Sequence, residues 1–251
     1  MKKLAIFLAL ISYGTSFSQG ISTDRPDQTE ASNTLNKGSF QLESGLVFLK
    51  NNDESYKSFL APSNLIRYGV TDKVEFRIFT QYETKKYEWD GANRKYSGLN
   101  DLELGVKVQL FQKENSKTEV AFLSHVIIPT ASDELGSSET GVVNKLSISH
   151  ALSGGFGLGY NVGYNYTDSL HFFTYSLALG YSISDSVGFF VEPYGILGAE
   201  GFFENNFDFG FTFLLNPNFQ LDTSYGFGFN NDVHYFSAGF SWHVPNLFVK
   251  N

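Results

Sequence analysis

Between about residue 39 and residue 244, apolar and polar side chains alternate almost without a break, and many of the polar ones are ionisable. Alternation turns successive side chains to opposite faces of a strand. One face then gathers Glu43, Glu75, Arg77, Glu103, Lys107, Glu119, His125, Lys145, Glu192, Asp208 and Asp222. Such a set does one kind of chemistry well: lining a passage, it sets the charge that a permeating solute meets. Acidic residues outnumber basic ones, which predicts a mild preference for cations. Paired across a narrow bore, the same charges would close it instead. Tyr194 and Phe190 flank Glu192 on the same face. Aromatics beside polar groups could bind an aromatic or amphipathic solute. Internal packing is the reading the sequence favours for them.

Asp168, Ser169, His171, Asp232 and His234 fall near strand ends and could meet at a rim as a hydrolytic centre. Hydrolysis needs a nucleophile, a base and an orienting group within hydrogen-bond reach. No G-x-S-x-G elbow accompanies them, and no catalytic residue is assigned. The histidines show neither H-x-x-x-H nor H-E-x-x-H spacing, and the chain has no cysteine. No metal site, disulfide or cofactor is therefore expected.

The elements that must carry the charged face are strands. In one run Leu102, Leu104, Val106, Val108 and Leu110 interleave with Asp101, Glu103, Gly105, Lys107 and Gln109. One side is fully apolar and the other polar. Twelve such runs are predicted, over 39–49, 58–68, 74–83, 99–111, 117–128, 144–152, 155–166, 172–183, 187–197, 206–215, 219–229 and 233–244. The second is the least regular, because Pro62 cannot donate to a ladder and marks an edge or a bulge. Long polar loops are expected at 84–98 and 129–143, with short turns on the other side. An even strand count, an apolar outer face and alternating turn lengths describe an all-β, twelve-stranded antiparallel up-and-down transmembrane barrel. Short turns then lie in the periplasm with both termini, and long loops at the cell surface. Tyr68, Tyr82, Tyr166, Tyr181 and Trp242 near strand ends suit an interfacial girdle. A soluble β-sandwich would alternate too, but this apolar face carries Phe or Tyr in nearly every strand and would be exposed to water.

The bulk numbers agree. The chain has 26 Phe, 14 Tyr and 24 Gly, yet its mean hydropathy is only −0.16. A barrel reconciles these values, because half of each strand stays polar. Lys2 and Lys3, the apolar stretch Leu4 to Ile11 and the small residues around Ser16–Ser18 form a secretory signal peptide over 1–18, cut near Ser18 or Gln19. That apolar stretch is far below the ~20 residues of a spanning helix. Export to the outer membrane of a Gram-negative cell follows. The net charge of −8 argues against a nucleic-acid partner. Membrane lipid and a small solute are the expected partners. A closed barrel has no unpaired edge, so a monomer is expected.

The segment 19–38 is polar and does not alternate, and it holds the block Thr23-Asp24-Arg25-Pro26-Asp27-Gln28-Thr29-Glu30. This block, just after a signal peptide and before an alternating barrel, resembles the outer-membrane transporter family known as the "MetA-pathway of phenol degradation" family. The resemblance covers about 19–244 and implies an outer-membrane channel for small solutes, hydrophobic or aromatic ones among them. An outer-membrane barrel usually ends on an aromatic residue, whereas here 245–251 extend past the last strand as a tail. Two alternatives stand for the block. Its charges fold back and pair in the lumen as a plug, or Pro26 ends a solvated tail. Four charges in seven residues beside a rigid proline favour the plug. A non-conducting barrel acting through its surface loops is the alternative to a channel, with a rim hydrolase behind it.

Overall fold

The structure, a computed structural model, describes residues 21–89, 92–113, 115–198 and 201–247. The expected signal peptide, 1–18, lies outside the described residues. Thirteen strands are described: β1 (Phe40–Asn51), β2 (Tyr56–Thr71), β3 (Val74–Trp89), β4 (Ala92–Leu99), β5 (Leu102–Gln112), β6 (Thr118–Ile128), β7 (Gly141–Ala151), β8 (Phe156–Thr167), β9 (Leu170–Ser184), β10 (Val187–Gly198), β11 (Phe203–Asn216), β12 (Phe219–Gly228) and β13 (Val233–Val244). They make twelve staves, because β4 and β5 are two pieces of one stave, both paired to β3. Each stave pairs antiparallel with its neighbours in the chain, and β1 pairs with both β2 and β13, which closes the ring.

Closure separates two surfaces. Phe48, Phe173, Leu179, Leu215 and Trp242 are among many large apolar side chains left exposed outside. The largest fully buried side chains include Arg67, Arg77, Lys107, Glu43, Glu75, Glu192 and Asp208. This inversion of an ordinary core is what a barrel in lipid requires. The protein is a closed β-barrel with an apolar outer face. Its interior is not wholly polar, since Ala121, Leu123, Ala178 and Phe190 face inward and are buried.

The stretch 84–98 corrects a sequence expectation, because it is not a loop. β3 runs on to Trp89 and β4 returns from Ala92, with Thr84 opposite Ser97 and Lys86 opposite Lys95. Above the apolar band both faces of a strand meet water, so the apolar period disappears while the ladder continues. The loop before β7 ends at 140, and a proline bulge interrupts β2: its pairing skips between Leu60 and Ser63, around Pro62.

The only long connection among the described residues, 129–140, is pinned inward. Asp101, at the break between β4 and β5, accepts from the backbone of Thr130, Ala131 and Ser137 at 2.6–3.0 Å. At the turn after β8, Asp168 accepts from the Ser138 hydroxyl and the Ser138 and Glu139 amides. The Ser138 hydroxyl bond is the largest cause holding the Asp168 carboxyl below the usual aspartate range.

Candidate functional site

Strand parity turns every member of the sequence-derived set toward the lumen. Glu43 stands on β1, Glu75 and Arg77 on β3, Glu103 and Lys107 on β5, Glu119 and His125 on β6, and Lys145 on β7. Glu192 and Tyr194 stand on β10, Asp208 on β11 and Asp222 on β12. A non-helical segment, residues 21–38, runs among them.

That segment is held by both side chains and backbone. Asp24 accepts from Arg77 Nη1 at 2.6 Å and from Lys107 Nζ at 3.1 Å, with Arg67 at 3.7 Å. Glu30 pairs with Arg77 Nη2 at 2.8 Å and Lys145 Nζ at 3.4 Å. Arg25 reaches the opposite wall, where Nη2 and Nε hold the two oxygens of Asp222 at 2.8 and 3.3 Å. Its Nη2 also donates to Ser237 at 2.9 Å. A planar guanidinium fits such a two-point grip on a carboxylate.

The irregular backbone needs partners because it forms no ladder. Inward side chains supply them. Glu43 accepts the Asp24 and Arg25 amides at 2.9 and 3.0 Å, and Glu192 accepts the Gln28 amide at 2.6 Å. Asn161 accepts the Glu30 amide at 2.7 Å, Gln109 the Thr34 amide at 3.1 Å and Glu75 the Leu35 amide at 2.9 Å. The Thr29 hydroxyl donates to Glu192.

Two glycines make room for Arg25. Gly45 and Gly239 are cross-strand partners, and a Cβ added to either would stand 2.5 Å from the Arg25 guanidinium. At the short-turn end, Gly157, Gly180 and Gly188 on β8, β9 and β10 border a cavity of about 790 Å³ between the segment and the wall. A second cavity of about 380 Å³ shares Asp27 and Phe190 with it. On the outer side, about 420 Å³ remains beside Asp24, Glu30, Glu103 and His125. The segment stands between an inner and an outer vestibule.

The remaining members of the set stand apart from the segment's ion pairs. His125 Nδ1 pairs with Glu103 at 2.9 Å, and Arg77 Nε donates to its Nε2. Glu119 accepts from Gln112 at the short-turn end. Asp208 accepts from the Tyr235 hydroxyl. Sequence reasoning missed Arg67, which is fully buried between Glu43 and Glu75 at 2.8–3.0 Å. It also missed the uncharged holders Gln109, Asn161 and Ser237.

The rim residues do not assemble into one centre. Ser169 donates to Glu139, and His171 Nδ1 shares a hydrogen bond with the Tyr164 hydroxyl. His234 pairs with Asp232 at 3.3 Å and sits on β13, separated from β9 by β10, β11 and β12.

The family described as "Putative MetA-pathway of phenol degradation" matches residues 23–243. The chain belongs to that family. The match begins at Thr23, so the lumen-docked block is part of it. Among solved structures, the COG4313 outer membrane channel from Pseudomonas putida F1 superposes with a TM-score of 0.71 at 12% identity, over 87% of this chain and 100% of that one. The KdgM porin, crystallised with disordered oligogalacturonate, gives 0.56 at 9% identity, over 80% and 98%. The NanC porin gives the same values. At these identities the likeness is one of fold. No curated protein matches the chain.

Proposed function

We propose that this barrel is a passive channel for small solutes, aromatic ones among them, and that residues 21–38 set its bore from inside. The observation that carries this reading is the segment itself. Ion pairs fix it across the lumen, yet cavities of about 420 and 790 Å³ stay open on its two sides. A barrel of twelve staves lies between the ~8 strands that side chains fill and the ~16 that leave a water channel. A docked segment therefore decides whether such a lumen conducts. Aromatic solutes are favoured by the family's phenol-degradation description and by the placement of Phe190, which borders both periplasmic cavities. The lining set of Glu43, Glu75, Arg77, Glu103, Lys107, Glu119, His125, Lys145, Glu192, Tyr194, Asp208 and Asp222 supplies the polar wall. The block from Thr23 to Glu30 supplies the constriction. Transport needs no energy source, and one barrel is a complete unit because its ring leaves no free edge. The signal peptide, 1–18, directs export.

Single-channel conductance in a planar bilayer tests this, comparing the protein with and without residues 21–36. Folding of each is checked by heat-dependent electrophoretic mobility. Discrete cation-favouring steps that grow on truncation are expected. Silence from both folded forms would sink the channel and favour a non-conducting barrel, the reading to which the dense ion pairing of the segment lends weight.

A further inference from the structure

One row of like charge crosses the outside of the barrel. Lys50 on β1 stands directly opposite Lys57 on β2, Lys57 opposite Lys86 on β3, and Lys86 opposite Lys95 on β4. His234 on β13 extends the row beyond Lys50. All four lysines are exposed. Among the described residues, every other lysine or arginine carried by a strand takes the inward parity. The outward cations are therefore not scattered but gathered at one height on adjacent strands.

Directly opposed like charges are destabilising, so such a row calls for an anion. The protein supplies little. Glu88 pairs with Lys57 at 2.8 Å, but both groups are about half exposed, at 57% and 51%, and Asp232 answers only His234. Adjacent strands lie ~4.8 Å apart, so four lysines span roughly 14 Å, room for two phosphates.

Two residues deeper the chemistry changes. Phe236, Phe48 and Phe59 form the next outward row on β13, β1 and β2. The Phe48 and Phe59 rings lie 4.6 Å apart, and Phe48 is 53% exposed. A groove of about 590 Å³ joins the two rows, bordered by Lys50, Lys57, Lys86 and Lys95 above and by Phe48 and Phe59 below. Its place, at the strand ends opposite the short periplasmic turns, is the outer leaflet.

We infer that this groove binds a phosphorylated, multiply acylated lipid of the outer leaflet, with its phosphates along the lysine row and an acyl chain against the phenylalanines. Basic clusters at the membrane surface recognise anionic headgroups in this way. The inference does not depend on whether the lumen conducts.

Native mass spectrometry of the refolded protein tests it, with three probes offered in turn: diphosphoryl lipid A, the same lipid stripped of phosphate, and phosphatidylglycerol. The protein is expected to retain diphosphoryl lipid A at least about tenfold better than either of the others. Combined Lys50→Gln, Lys57→Gln, Lys86→Gln and Lys95→Gln should abolish that preference, while Lys73→Gln, in a periplasmic turn, should keep it. Equal retention of the phosphorylated and stripped lipid overturns the proposal, as does equal retention of phosphatidylglycerol. A preference that survives the fourfold change in a folded barrel does so too. The comparison of probes on the unmodified protein decides even if the fourfold variant does not fold.

Discussion

The lumen has two walls of opposite character. The wall from β2 to β7 carries Arg67, Arg77, Lys107 and Lys145, each facing carboxylates. The wall from β8 to β13 has no lysine or arginine at all, because none occurs between residues 146 and 249. It presents Glu192, Asp208 and Asp222 instead. The segment between them is charged to match: Asp24 and Glu30 meet the cationic wall, and Arg25 meets Asp222 on the anionic one. The cationic wall is a closed network in which Arg67, Arg77 and Lys107 each meet two or more carboxylates. The anionic wall depends on one arginine that the segment itself delivers. The first wall binds the segment through several ion pairs, whereas the second binds it through one ion pair and the uncharged bonds that Glu192 and Asn161 make to it.

The largest effect should come from Arg77, which is 1% exposed and bonded to Asp24, Glu30 and Glu75. A buried ion pair is weak evidence of net stability, but removing one partner strands the others. Arg77→Ala should cost about 3–5 kcal/mol, the cost of leaving buried charge unpaired. Urea unfolding of the refolded barrel measures it. A loss of much less would mean that water reaches the three carboxylates and that the wall is not a closed network.

Arg25→Ala should cost less, about 1–3 kcal/mol, because the cavity bordered by Arg25 admits water to the vacated site. Its distinctive outcome is in conductance. Losing the one ion pair to the anionic wall should enlarge the open current while Asp24 and Glu30 stay docked. Unchanged current with a destabilised barrel would show that the constriction is held by the cationic wall alone.

How much of this could be read beforehand follows from periodicity. β5 and β11 announce themselves, since one face is apolar from Leu102 to Leu110 and from Phe207 to Leu215. The β3–β4 hairpin does not, because strand outside the membrane keeps its ladder and loses its apolar face. Inward charges were legible wherever alternation was unbroken. Arg67 escaped because the bulge between Leu60 and Ser63 shifts parity halfway along β2. For the N-terminal segment the charges were visible but their partners were not. Arg25 meets Asp222 across 197 residues of sequence, a pairing that no local pattern encodes. The uncharged holders Asn161 and Gln109 had no signal, since polar residues of their kind recur on every inward face.

Asp27 is the misfit, and it sharpens the contrast between the walls. It lies on the anionic side, where Glu192 and Asp208 repel its carboxylate, and it makes no ion pair among the described residues. Thr29 and Gln28, its neighbours in the chain, already satisfy Glu192. Nothing in the docking of the segment requires a charge at this position, and both periplasmic cavities border it. Asp27→Asn removes the repulsion and keeps the shape. It should therefore raise stability, by about 1 kcal/mol, the scale of a like-charge contact that water screens. The same change should weaken cation preference in the bilayer, because one carboxylate leaves the lumen beside Glu192 and Asp208. Urea unfolding and reversal potentials read the two effects separately. A destabilised Asp27→Asn variant would mean that the carboxylate is used in the folded barrel, and that the anionic wall binds a cation that Arg25 does not supply.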